Sequence, residues 1–438
     1  MKRKRKTFGK KPQSASKTTP ETITLTLESV AFGGDALTRL EGKVYFVADA
    51  LPGETVAAEI IQDKDRFAKA RVKSRLSAPD YAVPAPCPYA ERCGGCQWQR
   101  VPYGLQEKWK AGFIEDALQR IGGIPAGTYP FTMHGSPETL HYRNRIDVKW
   151  QLTTVGTVQL GYYAKSSHDL VSIERCWIAD ERINQVLQEC LTLSFPKRER
   201  SFQTSLEFQV IADGRVLISG QEIPAGFWQD LKKAVEKNSL LQRTLILDSR
   251  DFVLLEEWEG LGFHTRAGQF QQVNLPANGF LRGWVRDFAR RHKVANAVDL
   301  YCGSGNLSLA LARDGVNVFG VEAYAPSIEA AVWNTKQNKL NAQYAAGDAQ
   351  DIGQLFPDLP ALDLLIVDPP RRGMAEAVEP VLKLCAERII YVSCDPNTLA
   401  RDLKMMLAAG YALEEVLGLD FFPQSYHVET VCVLKKNP

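Results

Sequence analysis

A cysteine at position 394 stands near the end of Ile389-Ile-Tyr-Val-Ser-Cys-Asp-Pro396. Apolar and β-branched residues lead into it, and the Asp-Pro pair discourages the strand from continuing. The thiol therefore belongs at the carboxyl end of a buried parallel strand. Ligands of open α/β sheets bind beyond such ends, which makes Cys394 either a nucleophile or a small buried hydrophobe. Other strand ends carry polar residues of the same kind. Ala297-Val-Asp-Leu-Tyr301 runs into the turn Cys302-Gly-Ser-Gly-Asn306, and Val316–Val321 ends at Glu322, 19 residues after Gly303. Asp348 follows Ala345-Ala-Gly, and Leu364-Leu-Ile-Val367 ends in Asp368-Pro-Pro-Arg-Arg-Gly373. A glycine turn between strand and helix lets a ligand approach the backbone and the helix N-terminus. An acid at the distance of Glu322 can bind both hydroxyls of a ribose, which fits NAD or S-adenosylmethionine (SAM). The turn lacks the third glycine of the dinucleotide fingerprint, and this weighs against NAD. An arginine after Asp368-Pro-Pro, where an aromatic would stand for methylation of an exocyclic amine, removes that chemistry.

A second cluster lies far upstream. Cys87, Cys93 and Cys96 fall within ten residues, and Gly94-Gly95 lets the backbone fold back so that three thiolates can face one point. Cys176 is the candidate fourth ligand. Four cysteines suit zinc or an iron–sulfur cluster, and the spacing does not choose between them.

The elements that must position these groups fall into distinct stretches of the 438 residues. Residues 1–17 hold eight Lys or Arg and no acid, so a net +2 divides into +8 on this arm and −6 on the rest. Such an arm suits an RNA or DNA phosphate contact or a solvated disordered tail. Residues 18–79 alternate short strands with glycine turns, as in a small OB-like β-barrel. Lys69, Arg71, Lys73 and Arg75 occupy every second position there, on one face of a strand. Residues 80–262 read as an α+β segment containing the cysteine cluster and an amphipathic helix at 103–121, able to pack on the catalytic domain. Its apolar Leu105, Trp109, Phe113, Ile114, Leu118 and Ile121 recur at helical intervals, which core packing explains. From Phe263 to the end, strands alternate with helices in the Rossmann-like manner. No apolar run approaches the ~18 residues that cross a bilayer. The basic start is no secretory signal, so a cytoplasmic monomer without membrane contact is expected.

The chain resembles the RNA uridine-5-methyltransferase family, specifically its TRAM-containing, iron–sulfur branch acting on large-subunit ribosomal RNA. The resemblance spans about Thr22 to Lys436. It rests on the Gly33-Gly-Asp turn, Val44-Tyr-Phe-Val47, Phe270-Gln-Gln-Val-Asn274, Asp299-Leu-Tyr-Cys-Gly303, Asp368-Pro-Pro-Arg-Arg-Gly373, Ser393-Cys-Asp-Pro396, Thr398-Leu-Ala-Arg-Asp402 and His427-Val-Glu429. It implies a TRAM RNA-binding barrel, a central domain holding a [4Fe–4S] cluster on Cys87, Cys93, Cys96 and Cys176, and a class I SAM-dependent methyltransferase domain. By the same resemblance Gln272, Tyr301, Glu322, Asp348 and Asp368 line the SAM and base sites, with Gly303 and Asn306 in the turn beside them. Cys394 is then the nucleophile and Glu429 the general base. Asp395 departs from a pattern in which Asn is frequent, and Asp348 from one in which some members carry Asn. The competing expectations are a tRNA uridine methyltransferase, an RNA cytosine C5-methyltransferase, whose second cysteine could come only from the Cys302 loop, and a non-catalytic RNA-binding iron–sulfur protein.

Overall fold

Strands as apolar as Leu364-Leu-Ile-Val367 cannot leave a face in water, so they need helices on both sides of their sheet. The computed structural model describes residues 21–220, 223–247, 249 and 251–437, and the basic arm lies outside them. The chain divides after Asp80 into two units.

The first unit is a six-stranded sheet in the order Thr22–Thr26, Thr55–Asp63, Phe67–Ser77, Lys43–Ala48, Ala36–Leu40, Ser29–Val30. Gly33 and Gly34 take φ of 116° and 89°, the left-handed conformation their turn needs. Along Phe67–Ser77, Lys69 and Arg71 share an exposed face opposite buried Ala68 and Ala70, but a bulge at Lys73 shifts the register and sets Arg75 across from buried Val56, so the expected cation row does not keep to one face. The row is partly neutralised, because Arg71 pairs with Glu59 at 2.6 Å and Arg75 with Glu54 at 3.4 Å.

The second unit is built on one eight-stranded sheet: β1 (Phe131–His134), β2 (Asn296–Leu300), β3 (Asn317–Glu322), β4 (Ala342–Ala346), β5 (Leu364–Val367), β6 (Arg388–Ser393), β7 (Tyr411–Leu419) and β8 (Glu429–Lys436). Their order is β4-β3-β2-β5-β6-β8-β7-β1. Strands β2 to β6 run parallel, and β8 is antiparallel to both β6 and β7. Alternate residues feed two cores. Val298, Leu300, Leu365 and Val367 face one, whereas Ala297, Leu364 and Ile366 face the other. Among the described residues no helix is long and apolar enough to cross a membrane.

A further sheet, centred on Arg145–Leu152 and Phe202–Val210, packs helices Glu181–Leu191 and Ala225–Val235 over Trp150, Leu187 and Phe208. It is a separate sheet, tied to the large one through the chain around it. Strand β1, from the segment before it, pairs with β7, and Asn274 Nδ2 donates to Ser136 Oγ (3.0 Å) and to the Phe421 carbonyl (3.2 Å).

Helix α1 (Tyr103–Ala117) is regular to Ala117, then widens into a turn over Leu118–Gly122 that Gly123 ends at φ 70°. Its Ile114, together with Leu118, packs with Leu399 and Val416 of the large sheet's layer. The apolar periodicity accounts for only part of its inner face. Gln106 and Lys110 are both fully buried, whereas Ile121 is 38% exposed. Each buried polar group has partners, as it must. Lys110 Nζ lies 2.6 Å from Asp420 Oδ1 and donates to the Phe422 carbonyl at 3.0 Å. Gln106 Nε2 donates to the Val101 carbonyl and to Gln424 Oε1, and its own Oε1 accepts from Gln424 N at 2.8 Å. Lys110→Ala leaves the Asp420 carboxylate buried and unpaired, with an expected cost of about 3–5 kcal/mol. The urea midpoint should fall with little change in slope; a midpoint equal to wild type would show that the pair contributes nothing.

Candidate active site

The polar residues at the strand ends meet in one crevice. After β2 the backbone takes left-handed φ at Tyr301 (61°), Gly303 (54°) and Gly305 (83°), which folds the turn sharply. A tyrosine in that conformation is strained, a cost that the surrounding structure must impose. Gly305 is needed for space as well, since a Cβ there would lie 2.9 Å from Tyr344 Oη. Asp299 on β2 is 2% exposed and accepts from Ser308 Oγ at 2.6 Å. Burial pushes its carboxyl up to about 7, Asp368 and Glu322 adding to the effect against the Ser308 hydrogen bond. Asp368, following β5, is likewise pushed up to about 7 by burial and by Glu322. Glu322 ends β3 and accepts from the Tyr324 amide at 2.8 Å.

Cys394 sits between β6 and helix α2 (Pro396–Ala408), and the sequence fixes both sides of it. Ser393 closes the strand, while Asp395 caps the helix by accepting from Asn397 N (2.9 Å) and Thr398 N (3.2 Å), with Pro396 in the first turn. Aspartate caps as well as asparagine would, so the departure from the common pattern keeps the local geometry. The register Ser393↔Thr430, with β8 antiparallel, brings Glu429 across from the point where the chain reaches Cys394. Burial, then the Glu429 charge, push the thiol up to about 12, while Arg371 opposes them. Glu429 is raised well above the usual carboxylate range by burial and Asp368. His427, two residues before it, is held down to about 4 by burial and by Arg371 and Arg143, and is neutral near pH 7.

Not every expected residue points into this crevice. Asn306 is engaged elsewhere: its Oδ1 accepts from Asn278 Nδ2 (3.0 Å) and Arg282 Nε (2.9 Å), and its Nδ2 donates to Asn278 Oδ1 (2.9 Å). Asp348 is exposed at the end of β4 and caps nothing with its side chain. Gln272 is half-buried between two anchors. Gln271 Nε2 donates to Ser304 Oγ at 3.5 Å, and Asn274 caps the helix Leu275–Arg291. Gln271 and Arg371 are residues of this site that the motifs contained without revealing their directions. Cys302, the second thiol near the crevice, is 4% exposed and is raised well above the thiol range by burial and Asp299.

The upstream cysteines form their own site. Cys87, Cys93, Cys96 and Cys176 line one cavity of about 260 Å³ together with Arg143 and Tyr162. Burial pushes the Cys87 thiol up to about 11 and that of Cys96 to about 12. Gly94 lies in the turn after Cys93, as the glycine pair suggests, with φ outside the left-handed region. It allows a close approach, since a Cβ would lie 3.1 Å from the Tyr163 carbonyl, to which Gly94 N donates at 3.0 Å. Among the described residues, no group of three or more His, Cys, Asp or Glu side chains is arranged to hold a metal ion.

The model of the tRNA (Uracil-5-)-methyltransferase family matches residues 232–437, and the TRAM domain model matches residues 17–73. An uncharacterized RNA methyltransferase of Gloeobacter violaceus is 32% identical over 452 residues, covering 95% of this chain and 97% of that one. The 23S rRNA (uracil(1939)-C(5))-methyltransferase RlmD of Shewanella halifaxensis is 29% identical, covering 98% and 99%. Among solved structures, the Pyrococcus abyssi tRNA (uracil-54, C5)-methyltransferase in complex with S-adenosyl-L-homocysteine has the same fold, with a TM-score of 0.67 at 21% identity, covering 94% of this chain and 99% of that one. With an N-terminal TRAM domain and a class I methyltransferase fold, the chain belongs to the RNA (uracil-5-)-methyltransferase family, SAM-dependent enzymes that methylate C5 of uracil in RNA.

Proposed function

We propose that the protein methylates a uridine of large-subunit ribosomal RNA, with Cys394 as nucleophile and Glu429 as general base. The mechanism is supported chiefly by the strand register that sets Glu429 across from Cys394. The ribosomal substrate is supported by the near-complete coverage of the Shewanella halifaxensis 23S rRNA enzyme.

C5 of uracil is too weak a nucleophile to be alkylated directly. Addition of the Cys394 thiolate to C6 moves the ring electrons into an enolate, whose C5 can attack an electrophilic methyl. Glu429 then takes the C5 proton, the electron pair restores the C5–C6 double bond, and the thiolate leaves with its own electrons. One difficult step becomes several easier ones. Bound SAM supplies that methyl on a sulfonium, a cation suited to a crevice lined by Asp299, Glu322 and Asp368. Gln272, Tyr301, Glu322 and Asp368 hold cofactor and base, Gly303 lets the backbone approach, and Asp348 lies at the rim. Asn306 acts indirectly, by tying the glycine turn to Arg282. The target base is taken out of its stack or is already unpaired. The TRAM unit binds the flanking RNA, and so does the basic arm.

Cys87, Cys93, Cys96 and Cys176 are the ligand set for a [4Fe–4S] cluster. Four thiols around one cavity are the donors such a cluster takes. The cluster is structural, since methyl transfer moves no net electrons.

With SAM and 5-fluorouridine RNA the protein should form a covalent complex stable to denaturing electrophoresis, because fluorine cannot leave as a proton does. Cys394→Ser should form none; trapping by that variant would end the nucleophile assignment. Glu429→Gln should accumulate a covalent complex on ordinary RNA and lower turnover roughly 10²–10⁴-fold; unimpaired turnover would exclude it as the base. Methylation of deproteinised 23S rRNA but not of tRNA is expected, and the reverse would reassign the substrate. Cys176→Ala should lose bound iron and melt at a lower temperature; iron content and melting temperature equal to wild type would count against the cluster.

A further inference from the structure

Asp402 on α2 is fully buried and has every oxygen engaged. Its Oδ2 accepts from Met374 N and from Tyr391 Oη, both at 2.7 Å, and its Oδ1 accepts from Arg401 Nε at 2.9 Å. Its neighbours on the same helix face grip the same loop. Arg401 Nη2 donates to the Arg372 carbonyl at 2.8 Å, and Thr398 Oγ1 donates to the Arg371 carbonyl at 3.1 Å. Residues 398, 401 and 402 have the i, i+3, i+4 spacing that shares one face of a helix, so the loop after Asp368 is fastened to α2 at three points.

Gly373 is required for this twice over. Its φ of 71° closes the turn in which its N–H donates to the Pro370 carbonyl at 2.8 Å. A Cβ there would lie 2.5 Å from Asp402 Oδ2 and 2.7 Å from Arg401 Nη2. Helix α2 starts two residues after Cys394, with Asp395 as its cap, so the three-point attachment also fixes the loop relative to the thiol. The groups acting on Cys394 are Glu429 from β8, Asp368 from the loop and Asp395 from its own turn, all disfavouring the thiolate, with Arg371 favouring it. His427, which feels Arg371 as well, is neutral near pH 7. No ion pair holds the Arg371 guanidinium among the described residues.

We propose that Asp402 is a positioning residue: it locks the Asp368–Gly373 loop onto α2 so that Arg371 stands beside Cys394 and makes its thiol reactive. This rests on Cys394 being the nucleophile, as proposed above. An apolar residue at 402 would leave the Met374 amide and the Tyr391 hydroxyl unpaired in the interior, and the loop would lose its register on the helix.

The test follows alkylation of Cys394 in the full-length protein by iodoacetamide between pH 7 and 9, resolved by mass spectrometry of its peptide. Because the thiol ionises above this range, the rate rises about tenfold per pH unit, and loss of a favourable charge slows it equally at each pH. Arg371→Gln is expected to slow alkylation roughly tenfold, equivalent to about one pKa unit, without changing the melting temperature. Asp402→Asn is expected to slow it comparably, and the double variant to be no slower than either single one. Gly373→Ala, which pushes the loop away with Asp402 intact, should act like Asp402→Asn and replaces it in the cycle if that variant does not fold. Alkylation at the wild-type rate in Arg371→Gln, or independent multiplying effects in the double variant, would overturn the proposal. No RNA enters this assay, so its failure is separate from a failure to trap 5-fluorouridine RNA.

Discussion

The Lys110–Asp420 ion pair closes the distance between two parts of the chain 310 residues apart, in a place where neither charge meets water. Two charges removed from solvent are tolerated only when each is paired and further hydrogen-bonded. Lys110 meets this condition through the Phe422 carbonyl, and Asp420 Oδ1 also accepts from Phe422 N at 2.9 Å. Around the pair, the turn between β7 and β8 collects its other restraints. Gln106 and Gln424 exchange hydrogen bonds, Tyr142 Oη donates to the Pro423 carbonyl, and the amides of Gln97 and Trp98 both donate to the Gln424 carbonyl. That turn delivers Glu429 to the head of β8. The cysteine-bearing loop, helix α1 and the strand of Glu429 are therefore held as one body, and the active-site geometry depends on residues that never touch a substrate.

The electrostatic character of the crevice follows from the same economy of space. Asp299, Asp368 and Glu429 share a poorly solvated volume with Glu322, so burial and mutual repulsion push three of them toward the protonated form. Burial, with Glu429, Asp368 and Asp395 adding to it, also favours the protonated Cys394 thiol. A thiol in that state is a poor target for stray oxidants and alkylating agents. A cationic ligand entering the crevice reverses the balance, because a positive charge nearby favours every anion around it. Reactivity in such a site belongs to the assembled complex rather than to the resting protein.

The parts of this arrangement that were legible in the sequence are those set by local rules. The apolar runs of β5 and β6, the glycine turn after β2 and the Asp-Pro start of α2 follow from neighbours within a few residues, whereas the bulge that breaks the cation row at Lys73 does not show in its alternation. What was not legible depends on partners far away in the chain. Nothing in the helical pattern of 103–121 marks Gln106 and Lys110 as interior, since their partners are at 420–424. Asn306 occupies a position that reads as cofactor-binding, but Arg282 and Asn278, on a helix that precedes it, take up its side chain. Gly94 lies in a turn, as its sequence suggests, but that it is also a point of close approach to the Tyr163 carbonyl depends on a strand far along the chain. The helix at 103–121 packs against the catalytic layer, as its pattern allowed, but the strand β1 that follows it, pairing with the edge of β7, was not legible, because its partner lies almost 300 residues on.

Two loops flank Cys394, and each is held from behind by a buried acid on a different element. Asp420 anchors the approach to Glu429 through α1, and Asp402 anchors the approach to Arg371 through α2. In the roles proposed above, Cys394 must add to one carbon and Glu429 must later reach a proton on the adjacent carbon of the same ring, which does not tolerate independent drift of the two loops. Misplacement by about 1 Å is enough to cost roughly 10²-fold in rate. Buried carboxylates anchored at α1 and α2 restrict that drift without placing bulky groups in the crevice. The rigid backing is the counterpart of a proposed reaction centre that itself consists of small groups: one sulfur, one carboxylate and the ends of a few strands.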